Sequence, residues 1–455
     1  MTVPPFTNGD LEDGAASDSP ERRSGFAEFF HTETAGAIVL LAATVLALAL
    51  ANSPMYSVME AIFHTEIGFN VGQWEFSLSL LHWIDDGLMA LFFFVVGLEI
   101  KREFIVGELA ERRKATLPIL AAVGGMLLPA LVYIGFNVGG PGVRGWGVPM
   151  ATDIAFALGI LALLGSRVPL GLRVFLTALA IADDIGAILV IAVFYTAEVS
   201  LMWLGVVAML FIVLVFFARR GVDSRWPYAI VGIALWAAML ASGVHATIAG
   251  VLVAFTIPAT ARLAPLDFTR RTRSALDDID SAAVPGEHTL VDGSRVHVCT
   301  LIRRDALHTM APLQRMESAL HPWTTFVILP LFALGNAGVR LVGVDVGALL
   351  GSPVSLGIMF GLFVGKPVGI FAMTWLAVRF RVADLPEGVS WLHVVGAGIL
   401  GGIGFTMSLF VANLAFAGGD QTAAAKVAIL MASVVAGSAG YALLRLVLPP
   451  TDEAR

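Results

Sequence analysis

Long apolar runs recur from one end of this chain to the other, and they decide which solvent it folds in. About 17 to 25 residues at helical rise cross the roughly 30 Å of hydrocarbon in a bilayer. Runs of about that length lie near 33–52, 81–100, 116–138, 147–164, 174–195, 201–218, 227–242, 244–261, 322–339, 354–378, 391–416 and 423–447. With a mean hydropathy of +0.84, 57% hydrophobic and 14% charged residues, no water-facing surface could hide the apolar side chains, which excludes an ordinary soluble globule. The expected fold class is an all-α polytopic membrane protein of about twelve transmembrane helices.

The basic residues orient it. Of 28 Lys and Arg residues, 24 fall on the side that holds both termini, three (Arg144, Arg340 and Lys426) fall opposite, and Lys366 falls inside a span. Discounting the eight in the long 262–321 connection leaves the asymmetry intact, so the positive-inside rule places both termini in the cytoplasm. The expected organisation is a disordered tail over 1–25, eight spans over 26–261, a cytoplasmic connection over 262–321, four spans over 322–447 and a short tail over 448–455. The first 25 residues are polar and acidic and lack the pattern of a signal peptide. The single cysteine, Cys299, excludes an internal disulfide, and no His and Cys cluster has metal-ligand spacing, so no cofactor is expected. Nothing points to a nucleic-acid partner.

Within "ALAIADDIGAILVIAVFY", residues 178–195, two adjacent carboxylates, Asp183 and Asp184, interrupt an otherwise apolar span. An ionisable group at a helix centre costs roughly 2.5–3.5 kcal/mol on insertion scales, so Asp153, Asp183, Asp184 and Lys366 together represent on the order of 10 kcal/mol unless compensated. A Lys–Asp contact near 4 Å is worth about 4 kcal/mol at an effective dielectric of about 20. One lysine can neutralise only one carboxylate. Neighbours on a helix point about 100° apart, so one aspartate can pair with Lys366 while the other faces a cavity. The unpaired acid can hold a proton and exchange it for a hard cation, whose natural ligands are oxygens. The plainer alternative is a static charge network that stabilises the bundle.

Two spans look breakable. In "GVPMATDIAFALGILALL", Pro149 precedes Thr152 and Asp153, and proline removes a backbone donor and restricts its predecessor. In "GAGILGGIGFTMSLF", five glycines, including Gly402 and Gly404, precede Thr406. Interrupted spans at corresponding places, the fourth and the eleventh, are the pointer to inverted-topology repeats with a site near the midplane. Close helix packing through small residues is the bland reading of the glycines.

These stretches resemble the NhaA family of Na⁺/H⁺ antiporters. "ATDIAFALG" at 151–159, "ALAIADDIGAI" at 178–188, "WIDDGLMALFFFVVGLEIKRE" at 83–103, "SGVHATIAG" at 242–250, "LHPWTTFVILPLFALGNAGV" at 320–339, "GKPVGI" at 365–370 and "GIGFTMSLF" at 402–410 all look like its signatures. The resemblance implies exchange of Na⁺ or Li⁺ for H⁺ in a bacterial-type inner membrane. It implies Asp184 as the principal cation and proton carboxylate, Asp183 as the partner of Lys366, and Thr152 and Asp153 as broken-helix elements. It also implies a cytoplasmic funnel and pH response at Glu99 and Glu103, and regulatory positions at Glu317 and His321. Charges snorkelling from an interfacial helix end are the alternative at 99–103. Asp86 lies near the periplasmic end of its span. His245 suits a pH switch by its titration range, or is simply a capping, hydrogen-bonded histidine.

Two segments lie outside the bilayer. "IGFNVGQWEFSLSL" alternates around a glycine and reads as a small periplasmic β-hairpin near 64–80. The resemblance implies that this hairpin joins two copies of the chain, since its open edge can pair with itself. The stretch 262–315 departs from the shorter connection that the resemblance implies and reads as an insertion; within it "HTLVDGSRVHVCTLI" carries Asp292-Gly293 between alternating runs and reads as a second hairpin. Two other classes remain as rivals. An intramembrane aspartyl protease needs its aspartates on separate facing helices near a Gly-x-Gly-Asp string, which is absent. A sodium-coupled symporter for an organic solute would call for a cationic pocket beyond Lys366.

Overall fold

The computed structural model describes residues 20–71, 74–196, 199–282, 293–342, 345–416 and 418–449. In chain order the helices are α1 (Pro20–Ala51), α2 (Tyr56–Phe63), α3 (Met89–Val106), α4 (Arg112–Asn137), α5 (Ile154–Leu163), α6 (Leu170–Phe194), α7 (Leu201–Arg219), α8 (Arg225–Ser242), α9 (Ile248–Thr256) and α10 (Pro265–Ala282). There follow α11 (Gly293–Thr309), α12 (Pro312–Trp323), α13 (Leu329–Asn336), α14 (Pro353–Phe360), α15 (Lys366–Arg379), α16 (Trp391–Gly401), α17 (Phe405–Ala415) and α18 (Asp420–Val447). Of the tail expected over 1–25, residues 20–25 belong to α1. Residues 1–19 lie outside the described residues, as do 450–455 of the second tail.

Among the described residues, seven helices are long and apolar enough to cross a membrane, or nine if two bent pairs each count as one span. The difference from twelve arises at 81–100, 227–242 and 244–261. The first joins a π-helical turn (Trp83–Leu88) to α3 and carries Asp85, Asp86 and Glu99, with Lys101, Arg102 and Glu103 following on the same helix. Helix α8 opens on Arg225, Trp226 and Pro227, and α9 has nine residues. Outward-facing Leu201, Met202, Ile212 and Ile233 are exposed, which is how a bundle meets lipid rather than water.

Helices α4 and α15 touch backbone to backbone. A Cβ on Gly124 would lie 2.2 Å from Gly369 O, and one on Gly369 would lie 2.1 Å from Gly124 O, so only glycine fits at either place. This approach sets Lys366, the first residue of α15, deep among the helices.

Strands β1 (Glu66–Val71) and β2 (Trp74–Ser79) pair antiparallel, with Glu66 opposite Ser79 and Ile67 opposite Leu78. Leu80 N closes the base on Thr65 O at 3.0 Å, and Trp83 Nε1 donates to Ile67 O at 3.0 Å.

Over its described part the second expected hairpin is helical instead. Residues 293–302 belong to α11, while 288–292 lie outside the described residues. The alternation at Val296 and Val298 is short, and the helical period over Val298, Leu301, Ile302, Asp305 and His308 turns one face inward instead. Both ends of the insertion converge on Asp223, in the turn between α7 and α8. Its Oδ2 lies 3.4 Å from Arg262 Nε, 3.7 Å from His308 Nε2 and 3.9 Å from Arg315 Nη2. The N–H groups of Arg262 and Leu263 both donate to His308 O, at 3.0 and 3.1 Å.

Candidate functional site

The fourth expected span is two pieces. A 3₁₀ run over Pro141–Met150 ends in three non-helical residues, and α5 begins at Ile154, bent 41° from the run. The run begins at Pro141, six residues before the expected start of the span at 147. Helices α16 and α17 are likewise separated by 402–404 and bent by 46°. Glycine earns its place there by space rather than by φ: Gly402 has φ −71°, and a Cβ on it would lie 2.4 Å from Leu362 O.

The two breaks cross and bind each other. Thr152 Oγ1 donates to Gly401 O at 2.9 Å, and Asp153 N donates to Ile403 O at 2.7 Å. Asp153 caps its own helix by accepting Phe156 N on Oδ1 at 3.1 Å. Its Oδ2 accepts Thr406 N at 3.0 Å and the Thr406 hydroxyl as well. One carboxylate therefore meets the positive ends of two half-helices, α5 and α17, where a negative charge is most stabilising. Ser408 Oγ adds a bond to Val148 O at 2.8 Å. Gly404 faces Ser408, and Pro149 packs beside Gly361.

Beside the crossing stand the adjacent acids. Lys366 Nζ lies 2.7 Å from Asp183 Oδ2 and also donates to Met150 O, and both side chains are fully buried. Lys366 follows a π-helical turn (Gly361–Gly365), a distortion common at functional positions. Asp184 is buried equally deeply. One oxygen on each aspartate, Asp183 Oδ1 and Asp184 Oδ1, has no hydrogen-bond partner among the described residues. The carboxylates of Asp183, Glu99 and Asp153 all lie within electrostatic reach of Asp184, with Lys366 the opposing charge. Unpartnered oxygens under excess negative charge are a setting that protons or a small cation would relieve.

The remaining expected residues do not join this cluster, apart from Glu99. Glu317 pairs with Arg102, which also reaches Glu103 Oε1 at 3.3 Å, while Lys101 Nζ caps the end of α9 at Phe255 O (2.8 Å) and Ile257 O. His321 follows Glu317 by one turn on α12 and lies within its electrostatic reach. His245 Nε2 meets Tyr195 O at 2.8 Å, capping the end of α6, which is the hydrogen-bonded alternative. Asp86 neighbours His245 and accepts Trp236 Nε1 on its backbone carbonyl at 3.1 Å. A further polar chain carries no mark in the sequence. Asn336 Nδ2 donates to Asp85 Oδ1, and Asn413 Nδ2 donates to Asn336 Oδ1, both at 2.6 Å.

Fold and site together define a polytopic helical membrane protein built around buried ionisable groups at a crossing of two bent helix pairs. The family model described as Na⁺/H⁺ antiporter 1 matches residues 27–444. A protein of Acidithiobacillus ferrooxidans named Na(+)/H(+) antiporter NhaA is 48% identical, over 92% of this chain and 96% of its own length. Its namesake in Oleidesulfovibrio alaskensis is 50% identical, over 93% of this chain and 94% of its own length. The chain belongs to the Na⁺/H⁺ antiporter 1 family, whose members are secondary transporters of the inner membrane and not enzymes.

Proposed function

We propose that this chain exports Na⁺, and Li⁺ with it, in exchange for H⁺ by alternating access, and so serves sodium and cytoplasmic pH homeostasis. In this reading twelve spans form inverted-topology repeats with both termini in the cytoplasm. The bent pairs are the interrupted fourth and eleventh spans, crossing near the midplane. The observation that carries the proposal is that a single lysine serves two adjacent acids: Lys366 engages Asp183, and Asp184 remains buried with an unpartnered oxygen.

Facing the cytoplasm, Asp184 and a second carboxylate release protons and accept Na⁺, with Asp183, Asp153, Thr152 and freed carbonyls as further oxygen donors. Facing outward, protons displace the ion. The empty, charged site disfavours crossing, which couples the two fluxes. Exchange of two protons for one Na⁺ moves one net charge inward, so the membrane potential contributes about 2.3 kcal/mol per 100 mV. Glu99, Glu103, Glu317, His321, Asp86 and His245 are proposed to shape the pH response. The edge of the β1–β2 hairpin is proposed to pair with a second copy.

Everted vesicles preloaded with protons test this directly. Na⁺ addition should dequench a pH-sensitive dye, and an imposed potential should change the rate. Na⁺-driven uptake of an organic solute without dequenching would favour symport, and indifference to the potential would exclude the two-for-one stoichiometry.

A further inference from the structure

Helix α17 begins behind Gly404, which has no side chain with which to cap it. The first N–H groups of any helix lack intrahelical partners and must find acceptors elsewhere when buried. Asp153 takes the Thr406 N–H. The Phe405 N–H goes to Ser433 Oγ, 3.1 Å away on α18 and itself buried. Ser433 therefore does for α17 what an N-cap serine does for its own helix, but from a different span.

The face of α18 that carries Ser433 follows the break closely. One turn on, a Cβ at Gly437 would lie 3.7 Å from Ile403 Cδ1. At Gly440 it would lie 3.3 Å from Leu400 N. Small residues thus bring α18 against the segment 400–405 and present a hydroxyl at the Phe405 N–H, next to the one that Asp153 takes.

We propose that Ser433 is a positioning residue for the cation site, holding the start of α17 and quenching the Phe405 N–H dipole at a pocket whose substrate is positive. Without the hydroxyl, an uncompensated N–H adds positive potential beside Asp153, and a cation binds less well there. The inference rests on the exchange function proposed above. Alanine occupies no more space than serine, so Ser433→Ala removes the acceptor without crowding the interface.

In everted vesicles, Ser433→Ala should raise the apparent KM for Na⁺ about tenfold, from the loss of one buried hydrogen bond, with the maximal rate little changed. Ser433→Thr, which keeps the hydroxyl, should restore the wild-type KM. Ser433→Cys, whose thiol accepts weakly, should fall between. An unchanged KM in Ser433→Ala overturns the proposal, because a purely packing role predicts that result. Should Ser433→Ala fail to accumulate, a Ser433→Cys KM equal to wild type overturns it equally. Asp184→Asn run alongside separates the two readings: retained exchange there sinks the proposed function, whereas lost exchange with a wild-type Ser433→Ala sinks this inference alone.

Discussion

The helix crossing and the insertion over 262–315 both carry many charges, yet they obey different rules. At the crossing, Asp153, Asp183, Asp184 and Lys366 are withdrawn from water, so each must find a specific partner or hold a specific vacancy for one. In the insertion, Asp223 gathers Arg262, His308 and Arg315 at 3.4 to 3.9 Å in a partly solvated setting, where any one contact is replaceable by water. The first arrangement is the one on which the proposed function rests, and the second fastens a helical pair to the bundle.

Four substitutions put that contrast at risk, in descending order of effect. Asp184→Asn should abolish Na⁺-dependent proton release from the solubilised protein while leaving it folded, and undiminished release would move the site elsewhere. Lys366→Ala strands a buried carboxylate and should cost about 3–5 kcal/mol of stability. Thermal unfolding in detergent should show most of that loss recovered in the Lys366→Ala, Asp183→Asn double variant, and no recovery would break the pairing argument. Thr406→Val removes a hydroxyl bonded to the Asp153 carboxylate and should cost about 1.5–3 kcal/mol, as hydrogen bonds to charged groups do. A loss below 0.5 kcal/mol, as is usual for surface substitutions, would place the crossing under the same rules as the insertion. Asp223→Ala should change global stability by at most about 1 kcal/mol. Its mark should be faster limited proteolysis within 262–309, and unaltered cleavage would mean that Asp223 does not fasten the insertion.

Legibility in the sequence follows the same divide. A charge in a hydrocarbon span has so few tolerable surroundings that Asp183, Asp184 and Lys366 stand out without any structure. Helix geometry and charge say only that one of the two acids can pair with the lysine; the family resemblance implies Asp183, which lies 2.7 Å from it. Residues that work through backbone groups are silent. Ser433 looks like one more small residue in an apolar helix, and Asn336 and Asn413 become meaningful only when three spans converge. The 3₁₀ run over Pro141–Met150 begins ahead of the expected span at 147, in a stretch of glycine and proline with no apolar period, and packs against α4 and α17. At α11, Asp-Gly and two valines suggested a turn, and packing against α10 outweighed so short a local signal.

The bonds at the crossing join segments made at very different times. Asp183 precedes Lys366 by 183 residues, and Asp153 precedes Thr406 by 253. A ribosome emitting this chain therefore commits three acids to the membrane long before their partners exist. The nascent half must shelter them in water or in the insertion machinery until the later spans arrive. Chains interrupted before α15 would carry exposed intramembrane charge, a mark by which quality control could distinguish unfinished copies from complete ones.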